Sequence, residues 1–271
     1  MTPGSARRLN PAWPLIAPAL AVLTAVAVVP VLAAIWLSFH RSIVLFHDAH
    51  FIGIDHYRFL ARDPRFWAAL RTTAWFTVCA VALEVALALP LALLLRTSGG
   101  LFRAAVLVPW AVPTAVSAKL FAWIFNPDYG LLRVDWLSSP RAALHVAIAI
   151  DVWKTTPFVA LLLLAGLQAI SADIVNAARV DGASPARIFF SMTLPLLRPQ
   201  LALAVLLRGL DAFRVFDAIY VLTEGGPGHS TETLSIYAYK TLMRSGDFGY
   251  GATLSVATFA CVLLLGLAWR R

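Results

Sequence analysis

Four charged side chains recur every third residue in the C-terminal half of the chain: Arg208, Asp211, Arg214 and Asp217. They lie inside or next to an apolar segment, and residues three apart are neighbours on a helix, so opposite charges can pair along the sequence. A charge at membrane depth costs at least about 2.5–3.5 kcal/mol on insertion scales and usually faces a partner or a cavity. The pattern therefore fits either a self-neutralising structural ladder or a polar wall along a hydrophilic path.

Aromatic residues accompany these charges at Phe213 and Tyr220. Carboxylates and guanidinium groups form paired hydrogen bonds, and aromatic side chains offer flat apolar faces. Such a lining suits a hydroxyl-rich solute such as a sugar. Under this interpretation Asp211, Phe213, Arg214, Asp217 and Tyr220 belong to a substrate path.

A second polar stretch, residues 153–158, interrupts another apolar segment. Pro157 removes a helix hydrogen bond and tends to open the backbone, so Trp153, Lys154 and Thr156 are also expected to face the path. The alternative is that Asp151 pairs with Lys154 and that Trp153 packs at the membrane interface. For the lone acid Glu84 we favour a structural bond to another helix over a ligand role.

The sequence contains no recognisable motif for catalysis, nucleotide binding or metal binding. A phosphate-binding loop needs Lys after Gly, and the three lysines, Lys119, Lys154 and Lys240, follow other residues. The six histidines lie outside any HExxH or CxxC context. We therefore predict no catalytic residue, no metal ligand and no cofactor on this chain.

The composition is that of a membrane protein. Hydrophobic residues make up 60% of the 271 positions and charged residues 13%, against about 45–50% and about 25% in soluble domains. The net charge of +8 is not a nucleic-acid signature, because the basic residues are scattered and form no run longer than a pair. The predicted fold is all-α and crosses the membrane several times.

Six apolar blocks are long enough to cross a bilayer, which takes roughly 20 residues. The predicted spans are residues 13–39, 67–95, 104–125, 142–166, 201–222 and 252–269. Residues 1–12 form a short polar N-terminus, so residues 13–271 make one transmembrane domain. The loops on the two sides of the membrane contain almost equal numbers of Lys and Arg residues. The positive-inside rule therefore hardly distinguishes the two possible orientations.

The longest polar interruption in the C-terminal half is the loop 169–200. Ser171 is expected to cap a short helix, Gly182 to end it in a left-handed conformation, and Ser184 with Pro185 to start a second helix. Ile174, Ala177 and Ala178 then form a narrow apolar face. Taken by itself, this pattern also fits a connector that lies on the membrane surface.

The loop resembles the EAA loop of bacterial ABC importer permeases, whose pattern EAA-x-x-DGA is followed by LP. Asn176 stands where that family has Glu, and the matching residues are Ala177, Ala178, Asp181, Gly182, Ala183 and Pro195. Residues 51–67 resemble the external loop of sugar-importer permeases, and residues 210–217 and 220–228 resemble the maltose/trehalose and glycerol-3-phosphate branch. Residues 152–167 are similar to the permease of actinobacterial trehalose importers.

This resemblance implies the type I ABC importer permease fold, with six transmembrane helices and a cytoplasmic coupling helix in the loop 169–200. It also implies a bacterial cell-membrane protein with both termini cytoplasmic. The implied partners are a second permease, two ATPase subunits that hold ATP and Mg²⁺, an extracellular solute-binding protein, and a sugar substrate. Two alternatives from other classes are an ion-coupled secondary transporter, which usually shows repeated halves, and an intramembrane enzyme.

Overall fold

The computed structural model describes residues 13–269 except 44–47, 134, 137 and 138. This part of the chain is mainly helical, with one small hairpin in which β1 (His40–Ile43) pairs antiparallel with β2 (Asp48–Phe51). The all-α prediction is confirmed, with the hairpin as an addition. The predicted N-terminal segment, residues 1–12, lies outside the described residues.

The helices vary from single turns to more than nine turns. In chain order they are α1 (Trp13–Leu23), α2 (Val29–Ser38), α3 (Asp55–Arg62), α4 (Pro64–Thr97), α5 (Gly100–Ala111), α6 (Thr114–Ile124), α7 (Pro140–Ala169), α8 (Ala172–Val180), α9 (Pro185–Ile188), α10 (Leu194–Leu196), α11 (Arg198–Ala212), α12 (Asp217–Thr223), α13 (Leu234–Tyr239) and α14 (Phe248–Ala268). Wider π-helical turns occupy Thr24–Val28, Phe189–Thr193 and Lys240–Arg244.

The chain divides into two compact units. One comprises residues 13–62 and 238–257, and the other comprises residues 63–237 and 258–269. The residues of the predicted substrate path and of the loop 169–200 all belong to the second unit.

In the first unit, α1 and α2 are joined by a π-helical turn, and most of their apolar side chains are exposed. Such exposure suits a helix that lipid covers. Only the end of α2 is packed, because the hydroxyl groups of Ser38 and Tyr57 lie 2.7 Å apart and Thr253 Oγ1 donates to the Ser38 carbonyl at 3.3 Å.

In the second unit, α4 and α7 pack together through two clusters of buried apolar side chains. Small residues such as Ala80, Ala92, Ala147 and Ala160 are fully buried in these clusters. Small side chains let helix backbones approach closely, which is how helices associate where lipid removes the hydrophobic drive. The core that carries the polar residues is therefore built on the α4–α7 pair.

The predicted spans correspond to helices, although several bounds and shapes differ. Four helical segments are long and apolar enough to cross a membrane, and two bent pairs bring the total to six if each pair is one span. The pair α5 and α6 bends by 88° at Val112 and Pro113, and a proline at such a break removes a helix hydrogen bond. The pair formed by residues 185–196 and α11 bends by 61°.

Two predictions about span interiors were wrong. The fourth span was expected to break near Asp151, Lys154 and Pro157, but α7 is continuous because its packing holds the buried Pro157 within the helix. The fifth span was expected to continue to residue 222, but α11 ends at Ala212. There the N–H groups of Arg214 and Val215 bond three residues back, which tightens and ends the helix.

Gly166 generates a stability prediction, because a Cβ there would lie 2.6 Å from Gln200 Cγ and 2.7 Å from Leu197 Cδ1. We expect Gly166→Val to lower the free energy of unfolding by about 1–3 kcal/mol through overpacking. Gly209→Ala is the matched control, since a Cβ at Gly209 meets nothing within 4 Å. Thermal unfolding of the purified chain in detergent measures both, and equal melting temperatures would contradict the prediction.

Candidate functional site

Arg208 on α11 is almost completely buried, with 3% of its side chain exposed. It donates two hydrogen bonds to Glu84 on α4, from Nε at 2.6 Å and from Nη2 at 2.8 Å. Glu84 is fully buried, and its Oε1 also accepts from the hydroxyl of Thr155 at 2.7 Å. This bidentate pairing satisfies both charges inside the helix bundle.

The same guanidinium reaches two more carboxylates. Nη2 donates to Asp151 on α7 at 2.8 Å, and Nη1 donates to Asp211 one turn further along α11. Arg208 thereby joins α4, α7 and α11 at one point. The expectation that Glu84 bonds another helix is confirmed, whereas the alternative pairing of Asp151 with Lys154 is not, since Asp151 bonds Arg208 instead.

Asp211 connects this buried cluster to the exposed surface of the chain. Its side chain is 64% exposed and lies between two arginines, with Arg214 Nη2 at 3.8 Å from Oδ1. The charge ladder expected from the sequence therefore holds from Arg208 to Arg214. It stops before Asp217 because α11 ends at Ala212 and the three-residue spacing no longer stacks side chains.

Two cavities flank Asp211. The first has a volume of about 150 Å³ and combines Asp151, Asp211, Arg214 and Asp217 with Thr114 and Phe216 in its lining. The second has a volume of about 280 Å³ and is lined by Trp110, Lys154, Thr155, Phe158, Leu207, Arg208 and Asp211. Each cavity thus presents charged groups next to an aromatic side chain.

The structure brings some of the predicted path residues together and separates others. Asp211, Arg214 and Asp217 line the first cavity, and Lys154 lines the second with its Nζ 3.5 Å from the Trp110 carbonyl. Thr156 is buried, and it lines neither of these two cavities.

The predicted aromatic residues also take different positions. Phe213 is buried, and Trp153 is 37% exposed and packs on Phe121 with ring centres 5.3 Å apart. Tyr220 stacks on Phe216 at 5.0 Å, and of these two only Phe216 lines the first cavity. None of Trp153, Phe213 and Tyr220 lines either of the two cavities described above.

Sequence reasoning missed Trp110 and Phe158, which stack with ring centres 5.7 Å apart in the lining of the second cavity. They lie on α5 and α7, and no local spacing links them. The sequence offered a signal only in Pro109 and Pro113 near Trp110, because prolines can mark irregular backbone beside a cavity.

The segment 171–184 folds as its local sequence predicts. Ser171 Oγ accepts from the N–H of Asp173 at 3.2 Å and caps α8, and Ser184 Oγ accepts from the N–H of Arg187 at 3.3 Å and caps α9. Gly182 has a φ of +75°, the left-handed conformation that ends a helix at low cost. Asn176 accepts a hydrogen bond from Arg179 at 3.3 Å.

The exposed face of α8 differs from the predicted one. Ala178 was expected on an open apolar face, but it is only 2% exposed because it packs into the chain itself. After the first residue of α8, the exposed apolar positions are Ile174, Ala177 and Val180, followed by the exposed Asp181 and Gly182. Ala183 is half-buried, and Pro195 lies in the short helix α10.

The family model for binding-protein-dependent transport system inner membrane components matches residues 84–270 of this chain. The chain belongs to this family. The match covers α7, α11 and the loop between them, and it begins at Glu84. This chain is therefore a multi-pass membrane component of a binding-protein-dependent transporter. The prediction of an ABC importer permease is confirmed. The ion-coupled alternative is excluded.

Several curated relatives are similar over nearly the whole chain. The trehalose/maltose transport system permease protein MalF of Thermococcus litoralis is 43% identical, covering 92% of this chain and 88% of the relative. The trehalose permease protein SugA of Mycobacterium tuberculosis is 38% identical, covering 96% and 86%. The sulfoquinovosyl glycerol permease protein SmoG of Agrobacterium fabrum is 35% identical, covering 95% and 88%.

Solved structures of ABC transporters share the fold. A bacterial alginate transporter, crystallised with a periplasmic protein bound to an alginate pentasaccharide, superposes with a TM-score of 0.81 at 19% identity. The alignment covers 95% of this chain and 93% of that one. A second alginate-importing transporter gives a TM-score of 0.80 at 21% identity, covering 96% of each chain. The predicted type I permease fold is confirmed.

The buried cluster generates a stability prediction. Arg208→Gln leaves Glu84 buried without its cation, and breaking a buried pair from one side costs about 3–5 kcal/mol. The double variant with Glu84→Gln removes both charges and should cost clearly less than the sum of the two single changes.

Thermal unfolding of both single variants and the double variant in detergent tests this coupling. Arg214→Gln is the matched control, because Arg214 is 61% exposed and its loss should change the free energy of unfolding by no more than about 0.5 kcal/mol. Strictly additive effects at Arg208 and Glu84 would contradict the prediction.

Proposed function

We propose that this chain is the permease subunit of an ATP-driven sugar importer and forms, with a second permease, the path of a trehalose- or maltose-like disaccharide. Glycerol 3-phosphate or another glycoside is the alternative substrate. The observation that carries the proposal is the polar wall around Asp211, which sits in a chain whose relatives at 43% and 38% identity are named for trehalose and maltose transport.

The chemistry of this wall suits a sugar. Asp211 and Asp217 offer carboxylate oxygens to hydroxyl donors, and Arg214 offers N–H donors to hydroxyl oxygens. Phe216 beside the first cavity and the Trp110–Phe158 stack beside the second supply apolar faces for the C–H side of a ring. Trp153, Thr156, Phe213 and Tyr220 then act behind this wall or against the partner permease.

The size of the cavities supports a second subunit. Volumes of about 150 and about 280 Å³ fall below the roughly 300–1,000 Å³ of typical small-molecule sites. We therefore regard them as half of a binding site, completed by a second permease. An extracellular solute-binding protein delivers the sugar in this proposal.

Reconstitution tests the transport function. The complex is purified through a tag on this chain and placed in proteoliposomes with its solute-binding protein, and uptake of labelled trehalose and maltose is measured. We expect uptake that requires ATP and falls at least about tenfold in an Asp211→Ala variant, because the wall loses a carboxylate acceptor. Uptake driven by an ion gradient without ATP would overturn the proposal.

The coupling site of the proposal is α8 with the turn that follows it. The apolar positions Ile174, Ala177 and Val180 are open in this chain, and Asp181 adds a polar anchor beside them. We assign this face to a groove on a cytoplasmic ATPase subunit, which holds ATP and Mg²⁺. Both chain termini then lie on the cytoplasmic side of the cell membrane.

Asn176 makes this contact uncharged, because its side chain has no formal charge and its oxygen already accepts from Arg179. The family's Glu would instead offer a negative charge. A neutral hydrogen bond is worth less than a charged one, so Asn176 contributes little to docking.

Three substitutions and one control test the coupling face. Ala177→Trp adds bulk to the open face and should abolish ATPase co-purification and transport. The matched control Ala172→Trp adds the same bulk at an exposed position at the start of α8 and should preserve both. Gly182→Val should also impair transport, since a β-branched residue costs about 1–2 kcal/mol in the left-handed conformation. Asn176→Ala should hurt less than Gly182→Val. Retention of the ATPase and full transport by Ala177→Trp would show that α8 is only a connector.

A further inference from the structure

We propose that Asp151, Asp211 and Asp217 make the transport path selective for uncharged glycosides and exclude phosphorylated, sulfonated and carboxylated ones. This inference rests on the proposed function, because it assigns a charge preference to the same path. It also decides against glycerol 3-phosphate among the substrates considered above.

The charges that line the first cavity are unbalanced. Three carboxylates, Asp151, Asp211 and Asp217, face one guanidinium, Arg214. Behind them, the charges of Arg208 and Glu84 cancel in a bidentate pair. The formal charge at this cavity is therefore negative by two, three acids less one base.

Arg208 does not serve as an anchor for an anion. Its side chain is 3% exposed, and its hydrogen bonds to Glu84, Asp151 and Asp211 use Nε, Nη1 and Nη2. An arginine that binds phosphate or sulfonate directs its N–H donors at the ligand. Here those donors are directed at carboxylates of the protein itself.

Besides Arg208, the two cavities are lined by the cations Arg214 and Lys154, and each of these shares its cavity with a carboxylate. Arg214 is 61% exposed, but its Nε donates to the Leu210 carbonyl at 3.1 Å, and its Nη2 lies 3.8 Å from Asp211. Lys154 shares the second cavity with Asp211, and its Nζ lies 3.5 Å from the Trp110 carbonyl. An anion that approaches either cation therefore meets Asp211 as well.

Uncharged sugars are not repelled by these carboxylates. A hydroxyl group donates to a carboxylate and accepts from a guanidinium, so both signs of charge in the wall are useful to it. An anionic group can only accept, and repulsion between like charges in a partly desolvated site costs several kcal/mol. Selectivity here comes from repulsion of the wrong solute as much as from attraction of the right one.

Sequence similarity alone leaves this question open. Relatives at 43% and 35% identity are named for trehalose/maltose and for sulfoquinovosyl glycerol, an uncharged and a sulfonated solute. In this chain, the carboxylates that line the first cavity favour the uncharged class of solute.

The test uses the purified complex without its solute-binding protein, so that the membrane path alone selects. Binding of trehalose is compared with binding of trehalose 6-phosphate by equilibrium dialysis, and maltose is compared with maltobionate in the same way. We expect each uncharged sugar to bind at least about tenfold more tightly at low salt, and the gap to narrow as salt screens the charges.

Asp217→Asn is the informative variant, because Asp217 is exposed and makes no ion pair with another of the described residues. This variant should reduce the ratio of the affinities for the uncharged and the anionic sugar severalfold. Asp128→Asn removes the same charge from an exposed position outside both cavities and should leave the gap unchanged.

The outcomes separate this inference from the proposed function. Equal or tighter binding of the anionic sugars, or an unchanged gap in Asp217→Asn, overturns the charge selectivity while sugar transport stands. A complex that transports trehalose but binds neither sugar at this site also overturns it. Failure to transport any sugar overturns the proposed function and the inference together.

Discussion

The arrangement of the membrane helices depends on the pairing of one buried guanidinium. Arg208 is 3% exposed and cannot be left without partners in a bilayer, where an isolated charge is costly. Glu84, Asp151 and Asp211 satisfy it from α4, α7 and α11. Displacing one of these helices would leave a buried charge without its partner, so this pairing constrains their relative positions in addition to the apolar contacts.

The same interaction produces the polar surface of the path. Because Arg208 holds Asp211 at the end of α11, a carboxylate stays exposed at the point where the helix stops. The break then turns Arg214, Phe216 and Asp217 toward one cavity instead of distributing them around a continuous helix. Stability and solute contact therefore share a single cluster, in which the buried side carries the structural bonds and the exposed side carries the proposed function.

In the coupling segment, residues 171–184, nearly all of the backbone conformation is specified by residues close together in sequence. Ser171, Gly182, Ser184 and Pro185 adopt the capping and turn roles that their residue types favour. Only the tertiary structure shows which side of α8 is exposed. Ala178 turns inward and leaves Val180, which is 88% exposed, on the outer surface.

The sequence by itself determined the helical class, the existence of the six apolar blocks, the short capped helices and the family pattern. These depend on composition, on residues a few positions apart and on ordered motifs. Only the tertiary structure decided that Glu84 meets Arg208, that Trp110 stacks on Phe158, and that Thr156 is buried instead of facing a cavity. Such contacts join residues 48 or 124 positions apart in sequence or depend on helix rotation, and no local periodicity encodes either. The break after Ala212 was not predicted either, because charges three residues apart are what a continuous helix would also show.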